Sequence, residues 1–108
     1  MYFLITTILL VCTGLTANTN STNREIRGRC IEASSGSGIE GVKVSAQKIS
    51  DGSLLPETYT DSNGYFQMSL QINESYTLTY TEDSYGSQSQ NVSVQSGSGI
   101  QTIPSISF

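Results

Sequence analysis

The chain has 108 residues, room for one domain, with five Lys and Arg against nine Asp and Glu, no His, and a formal charge of -4. So few cations argue against a nucleic-acid partner, whose phosphates Lys and Arg must neutralise. The lack of His removes the usual general base near neutral pH. All five cations (Arg24, Arg27, Arg29, Lys43 and Lys48) precede residue 50, and the later half carries only carboxylates, among them Glu57, Asp61, Glu74, Glu82 and Asp83. Pairing of early with late strands would turn this asymmetry into cross-strand charge complementarity.

Residues 1–17 read as a secretory signal peptide. Tyr2 to Cys12 is mostly apolar, and the small or polar Thr13, Gly14, Thr16 and Ala17 follow. The run is shorter than the roughly 20 apolar residues that span a bilayer, so no stable membrane span is expected after cleavage. Cleavage after Gly14 or, preferred, after Ala17 removes Cys12; the alternative, a lipid anchor on Cys12, has Val11 where a small residue is wanted. Cys30 is then alone, without a partner for an intramolecular disulfide, and a single Cys among apolar neighbours reads as a small buried hydrophobe.

Residues 18–23 are uniformly polar and read as a linker. The domain is expected over 24–108. Glu25 to Ala33 is strand-like, with Ile26, Gly28 and Cys30 on one face and Arg27, Arg29 and Ile31 on the other. After a turn cluster at 34–38, Val42, Val44 and Ala46 alternate with Lys43, Ser45 and Gln47 within a second strand, Gly41 to Ile49. Pro56 ends a loop and precedes a short strand, Glu57 to Thr60.

The strongest turn signal follows. Asp61 and Asn63 can bond to their own backbone and Gly64 supplies positive φ, so Asn63-Gly64 between extended runs predicts a hairpin. Beyond it Phe66, Met68 and Leu70 alternate with Gln67, Ser69 and Gln71. Asn73 to Ser75 turns the chain into Tyr76, Leu78 and Tyr80 alternating with threonines, a β-branched and aromatic run. Gln88 to Gln95 and Ile100 to Phe108 complete seven short strands, the last held at an edge by Pro104. Seven strands at regular spacing without a helical stretch mean an all-β fold, a two-sheet antiparallel sandwich or a small barrel.

With the strands in place, the chain resembles the carboxypeptidase regulatory-like domain family. Ile26-Arg27-Gly28-Arg29-Cys30 stands at its opening strand, and Ser37-Gly38-Ile39-Glu40-Gly41-Val42-Lys43-Val44 is similar to its Gly-x-Pro-Leu-x-Gly-Val-x-Val segment. Thr60-Asp61-Ser62-Asn63-Gly64-Tyr65-Phe66 resembles Thr-Asp-x-x-Gly-x-Phe, and Tyr76-Thr77-Leu78 with Tyr85-Gly86 resembles its Tyr-x-Leu run and following loop. The resemblance implies a seven-stranded antiparallel β-sandwich, transthyretin-like (prealbumin-like) and Greek-key. It also implies company: such domains accompany metallocarboxypeptidases, outer-membrane nutrient receptors or surface adhesins. Related adhesin modules form isopeptide crosslinks from a Lys, an Asn and an acid. Here Lys43 faces outward and Tyr80 stands where the acid is wanted, so no crosslink is expected.

No catalytic residue, cofactor or metal site emerges. Nucleophile–base pairs, zinc ligand sets and phosphate loops are all missing. Glu82 and Asp83 are adjacent and read as solvated charge, while Asp61 with Asn63 resembles a fragment of a calcium loop without its further ligands. Asn20, Asn73 and Asn91 open glycosylation sequons. The candidate binding surface is Tyr59, Tyr65 and Tyr85, beside turns or opposite the core face, where tyrosines anchor proteins or stack on sugars. The Glu57 and Pro104 strands offer edges for strand augmentation. The expected function is a non-catalytic, secreted, periplasmic or cell-surface scaffold or protein-interaction module; the alternative is a carbohydrate-binding accessory module. Its partner would be an envelope or extracellular protein, or a polysaccharide.

Overall fold

The computed structural model describes residues 22–108. Eight short strands form two four-stranded sheets. One holds β1 (Asn23–Ile31), β4 (Tyr65–Gln71), β7 (Gln101–Thr102) and β8 (Ile106–Ser107); the other holds β2 (Lys43–Lys48), β3 (Thr58–Tyr59), β5 (Ser75–Glu82) and β6 (Gly86–Ser93). No strand is shared, so the fold is a sandwich and not a barrel. Among the described residues no helix is long and apolar enough to cross a membrane. The expected signal segment, including Cys12, and residues 18–21 lie outside the described residues.

The period-2 pattern places the core. Ile26 and Cys30 on β1, Phe66, Met68 and Leu70 on β4, Val44 and Ala46 on β2, and Tyr76, Leu78 and Tyr80 on β5 are all buried. Phe66 meets Tyr80 edge-on, their ring centroids 5.7 Å apart. Gly28 lies opposite Phe66 on the neighbouring strand, and a Cβ there would sit 2.5 Å from the ring. The hydroxyls of the two buried tyrosines are satisfied: Tyr80 Oη accepts from Gln90 Nε2 at 2.7 Å, and Tyr76 Oη accepts from the Gln71 N–H at 3.0 Å.

Three features depart from the sequence expectation. First, the Asp61–Gly64 turn closes no hairpin. β3 pairs with β2 while β4 pairs with β1, so the turn carries the chain from one sheet to the other. A two-residue hairpin turn of the Asn-Gly type needs positive φ at both positions; Gly64 has φ 83°, but Asn63 does not share it. The tight hairpin is instead β5–β6, closed at Glu82↔Gly86 with Gly86 at φ 90°.

Second, the last strand divides in two and runs parallel to β1, so the sandwich is mixed at that edge. Pro104 lacks an N–H to give to the ladder. β7 pairs with Ile26 and Arg27, β8 with Cys30 and Ile31, and neither register includes Gly28 or Arg29. Third, β1 begins at Asn23, the last residue of the expected linker, and the Thr22 carbonyl already accepts from Ile72 at 2.9 Å.

Candidate interaction site

At one end of the sandwich lies the corner between sheets. Asp61 Oδ1 accepts the N–H groups of Asn63 at 2.9 Å and Tyr65 at 3.0 Å, the local capping that short carboxylates favour. The Gly64 carbonyl then takes the Cys30 N–H at 2.8 Å, and a Cβ on Gly64 would lie 2.8 Å from Gly38 Cα and Ile39 N. Thr60, the buried polar residue of the core, ties the corner to the loop before β2. Its Oγ1 donates to the Ile39 carbonyl at 2.6 Å and accepts the Val42 N–H at 2.9 Å. The sequence marks Asp61, Asn63 and Gly64 as turn residues and Thr60 as the first residue of the family motif, but alternation gave no sign that the Thr60 side chain is buried.

The three candidate tyrosines separate. Tyr65 leaves the corner on the outer face of β4, opposite Arg29 in register. The Arg27 and Arg29 guanidinium carbons lie 4.3 and 4.9 Å from its ring centroid, within cation–π range. Tyr59, 58% exposed, joins Tyr65, Arg27 and Asp61 around a depression of about 210 Å³. Tyr85 is elsewhere, on the β5–β6 hairpin: its ring packs on Phe108 and its hydroxyl donates to Glu32 Oε2 at 2.7 Å. That hydrogen bond, with a second from Ser35, holds the Glu32 carboxyl below its usual range and pushes the Tyr85 hydroxyl up.

The larger depression is on the other side of Tyr65. It encloses about 350 Å³ between Arg27, Gly28, Arg29, Tyr65, Thr102, Ile103 and Ser105, where the Pro104 break interrupts the ladder beside β1. Arg29 Nε donates to the Asn63 carbonyl at 3.0 Å, which fixes that guanidinium against the corner. Composition and period gave no sign of this basin, because it needs the parallel return of the last strand and its break. The signal available was the Arg-x-Arg pattern on the outward face.

The charge complementarity expected from the sequence reduces, among the described residues, to one ion pair, Lys43 with Glu57 at 3.7 Å. Arg24 instead reaches across the end of the sandwich, donating to the carbonyls of Gln95 and Gly99, each at 3.1 Å. Lys43 is therefore a surface residue, and Tyr80 is buried against Phe66. Glu82 accepts the Ser84 N–H within its own hairpin. Among the described residues no three His, Cys, Asp or Glu gather as a metal site. Asn73 occupies an exposed turn at φ 61°, and Asn91 lies on β6 accepting from Thr77; Asn20 is outside the described residues. The Pro104 and Glu57 segments do lie at sheet edges. Gln88 and Gln90, however, donate to the Ser107 and Pro104 carbonyls and tie the first of these to β6.

Two four-stranded sheets, an inter-sheet corner with a buried threonine, and outward polar faces define an all-β sandwich of the transthyretin-like class. Residues 25–104 match the model of the carboxypeptidase regulatory-like domain, and the chain belongs to that family. No curated protein sequence matches it. Among solved structures it is similar to the TIE protein of Bacillus anthracis, at 14% identity and a TM-score of 0.69, over 93% of this chain and 19% of that one. It is also similar to 5-hydroxyisourate hydrolase of Klebsiella pneumoniae, at 18% identity and a TM-score of 0.58, over 78% and 90% of the two chains. A third likeness is to a variant of the major pilin subunit of Bacillus cereus, at 15% identity and a TM-score of 0.53, over 77% and 30%. At such identities the likeness is one of fold. The chain spans only 19% of the first structure and 30% of the third.

Proposed function

We propose that this chain is a non-catalytic, exported β-sandwich module that serves as a scaffold or protein-interaction domain at the cell envelope or outside the cell. The observation that carries the reading is the outer face of β1 and β4. There two arginines are stacked on a tyrosine instead of being neutralised by carboxylates. Tyrosine and arginine are among the residues enriched where proteins bind one another. The membership in a regulatory-like family and the pilin likeness agree with a module that works through contacts. The hydrolase likeness brings no chemistry with it, since this chain has no His to act as base.

Carbohydrate binding is the second reading, and the exposed ring of Tyr59 is its support. Tyr65 is engaged by two guanidinium groups and Tyr85 by Phe108, so neither offers a bare platform to a sugar. In-cell crosslinking of the full chain followed by mass spectrometry tests both. The expected result is a mature terminus near Asn18 and a defined envelope protein attached. An intact leader with no protein captured would overturn the proposal, and captured glycan would favour the second reading.

A further inference from the structure

We infer that the basin between β1, Tyr65 and the Pro104 break is a carboxylate-binding site that takes an acidic side chain or terminal carboxylate of a polypeptide partner; this rests on the protein-interaction reading above. The chain as a whole is net negative, yet the basin's lining contains two arginines, three hydroxyl-bearing residues and no acid. Among the described residues neither guanidinium pairs with a carboxylate. Two acids beside Arg27, one along its strand and one across the smaller depression, already accept hydrogen bonds. Glu25, two residues before Arg27 on the same face, accepts from Gln67 Nε2 at 3.2 Å, and Asp61, beyond Tyr65, accepts two backbone N–H groups.

The geometry is preorganised. Arg29 donates its Nε to the Asn63 carbonyl, leaving its terminal nitrogens for a planar acceptor, and the Tyr65 ring holds both guanidiniums beside one cavity. A guanidinium fork matches a carboxylate with two parallel hydrogen bonds. Thr102 and Ser105, exposed on either side of Pro104, add hydroxyl donors at the rim. The volume of about 350 Å³ suits one side chain or a chain terminus. A pyranose would need an open aromatic face, and the guanidiniums cover the one this basin has.

The test is a titration of the isotope-labelled mature chain with hexaglutamate peptide, followed by amide shifts. Hexaglutamine, polygalacturonate and inorganic phosphate are run in parallel. Saturable binding is expected, with shifts centred on Arg27 to Arg29, Tyr65, Thr102 and Ser105. R27Q with R29Q should weaken it about ten-fold or more, the effect of losing charge-assisted hydrogen bonds. K43Q with K48Q, the same charge change elsewhere, should leave it within about two-fold. Should the double arginine variant not fold, R27Q alone, at the more exposed position, is expected to weaken binding several-fold. Absence of saturable binding, shifts centred elsewhere, or equal loss in the lysine variant would overturn the inference. So would tighter binding of polygalacturonate, or phosphate binding that the peptide does not exceed. In the crosslinking experiment, a partner captured equally by parent and R27Q/R29Q would sink this inference and leave the interaction reading standing; no partner with the parent would sink the reading itself.

Discussion

Replacing Thr60 by Val tests whether the corner between the sheets is held by a hydroxyl. The side chain is 4% exposed, and valine keeps its shape. Thr60 Oγ1 donates to the Ile39 carbonyl at 2.6 Å and accepts the Val42 N–H at 2.9 Å, while the Thr60 N–H reaches the Val42 carbonyl at 3.1 Å. Thr60→Val leaves the last bond and strands one donor and one acceptor in the interior. Each such group costs about 1–3 kcal/mol, so a loss of about 2–6 kcal/mol is expected. For a domain of this size each kcal/mol lowers Tm by about 4–8 °C, so a fall of about 10 °C or more is expected. Thr60→Ser keeps the oxygen and removes one methyl group, for about 1 kcal/mol. Urea titration followed by tyrosine fluorescence, with thermal melts by circular dichroism, measures both. A Val variant within about 0.5 kcal/mol of the parent, or a Ser variant as damaged as Val, would refute the hydroxyl's role.

Gly64→Ala adds a Cβ at φ 83° against Gly38 Cα and Ile39 N, and is expected to lower the urea midpoint by the equivalent of about 2–4 kcal/mol; an unchanged midpoint would contradict the close approach. Leu70→Asp places a carboxylate at a fully buried position and should abolish the cooperative thermal transition, so a transition near the parent's would count against the assigned core. Arg24→Ala releases the loop at 95–99, which should speed amide exchange there with a global cost of about 1–2 kcal/mol; unaltered exchange would show the clamp to be idle. Burial pushes the Cys30 thiol up to about 11 from 9.0. The unfolded chain ionises first, so stability is full below about pH 9 and declines as pH rises towards 11. Denaturation midpoints at pH 8 and pH 10.5, compared with those of a Cys30→Ala variant, read that decline, and parallel pH profiles would refute it.

How legible this was depends on what each residue is asked to do. The inward faces of four strands follow from alternation alone, because burial selects side chains one at a time and the backbone fixes the period. Ile26 with Cys30 and Phe66 with Met68 and Leu70 obey it. The sheet that each strand joins is a different matter. Asn63-Gly64 looks like a hairpin, yet β4 leaves β3 for β1 and the Gly64 carbonyl goes to the Cys30 N–H. Pro104 was readable as an edge residue, but that its break leaves a cavity beside Gly28 and Arg29 depends on the parallel register of β7 and β8. Of the tyrosine surface, Tyr59 and Tyr65 meet and Tyr85 does not.

The same comparison separates what the family motif does from what it leaves free. In Thr60-Asp61-Ser62-Asn63-Gly64-Tyr65-Phe66, Thr60 ties the corner, Asp61 caps the turn, Gly64 permits the approach of Gly38, and Phe66 fills the core over Gly28. Each of these positions is consumed by the fold. The Tyr65 ring is not: it stands on the outer face, where Arg27 and Arg29 stack on it. Two domains of this family can therefore share the motif and the corner while differing wholly at the outward positions of β1 and β4. Under the interaction role proposed above, recognition would be encoded there, in residues that the signature does not constrain. A change at Arg27 is accordingly expected to alter binding with little effect on folding, whereas a change at Thr60 should reverse those consequences.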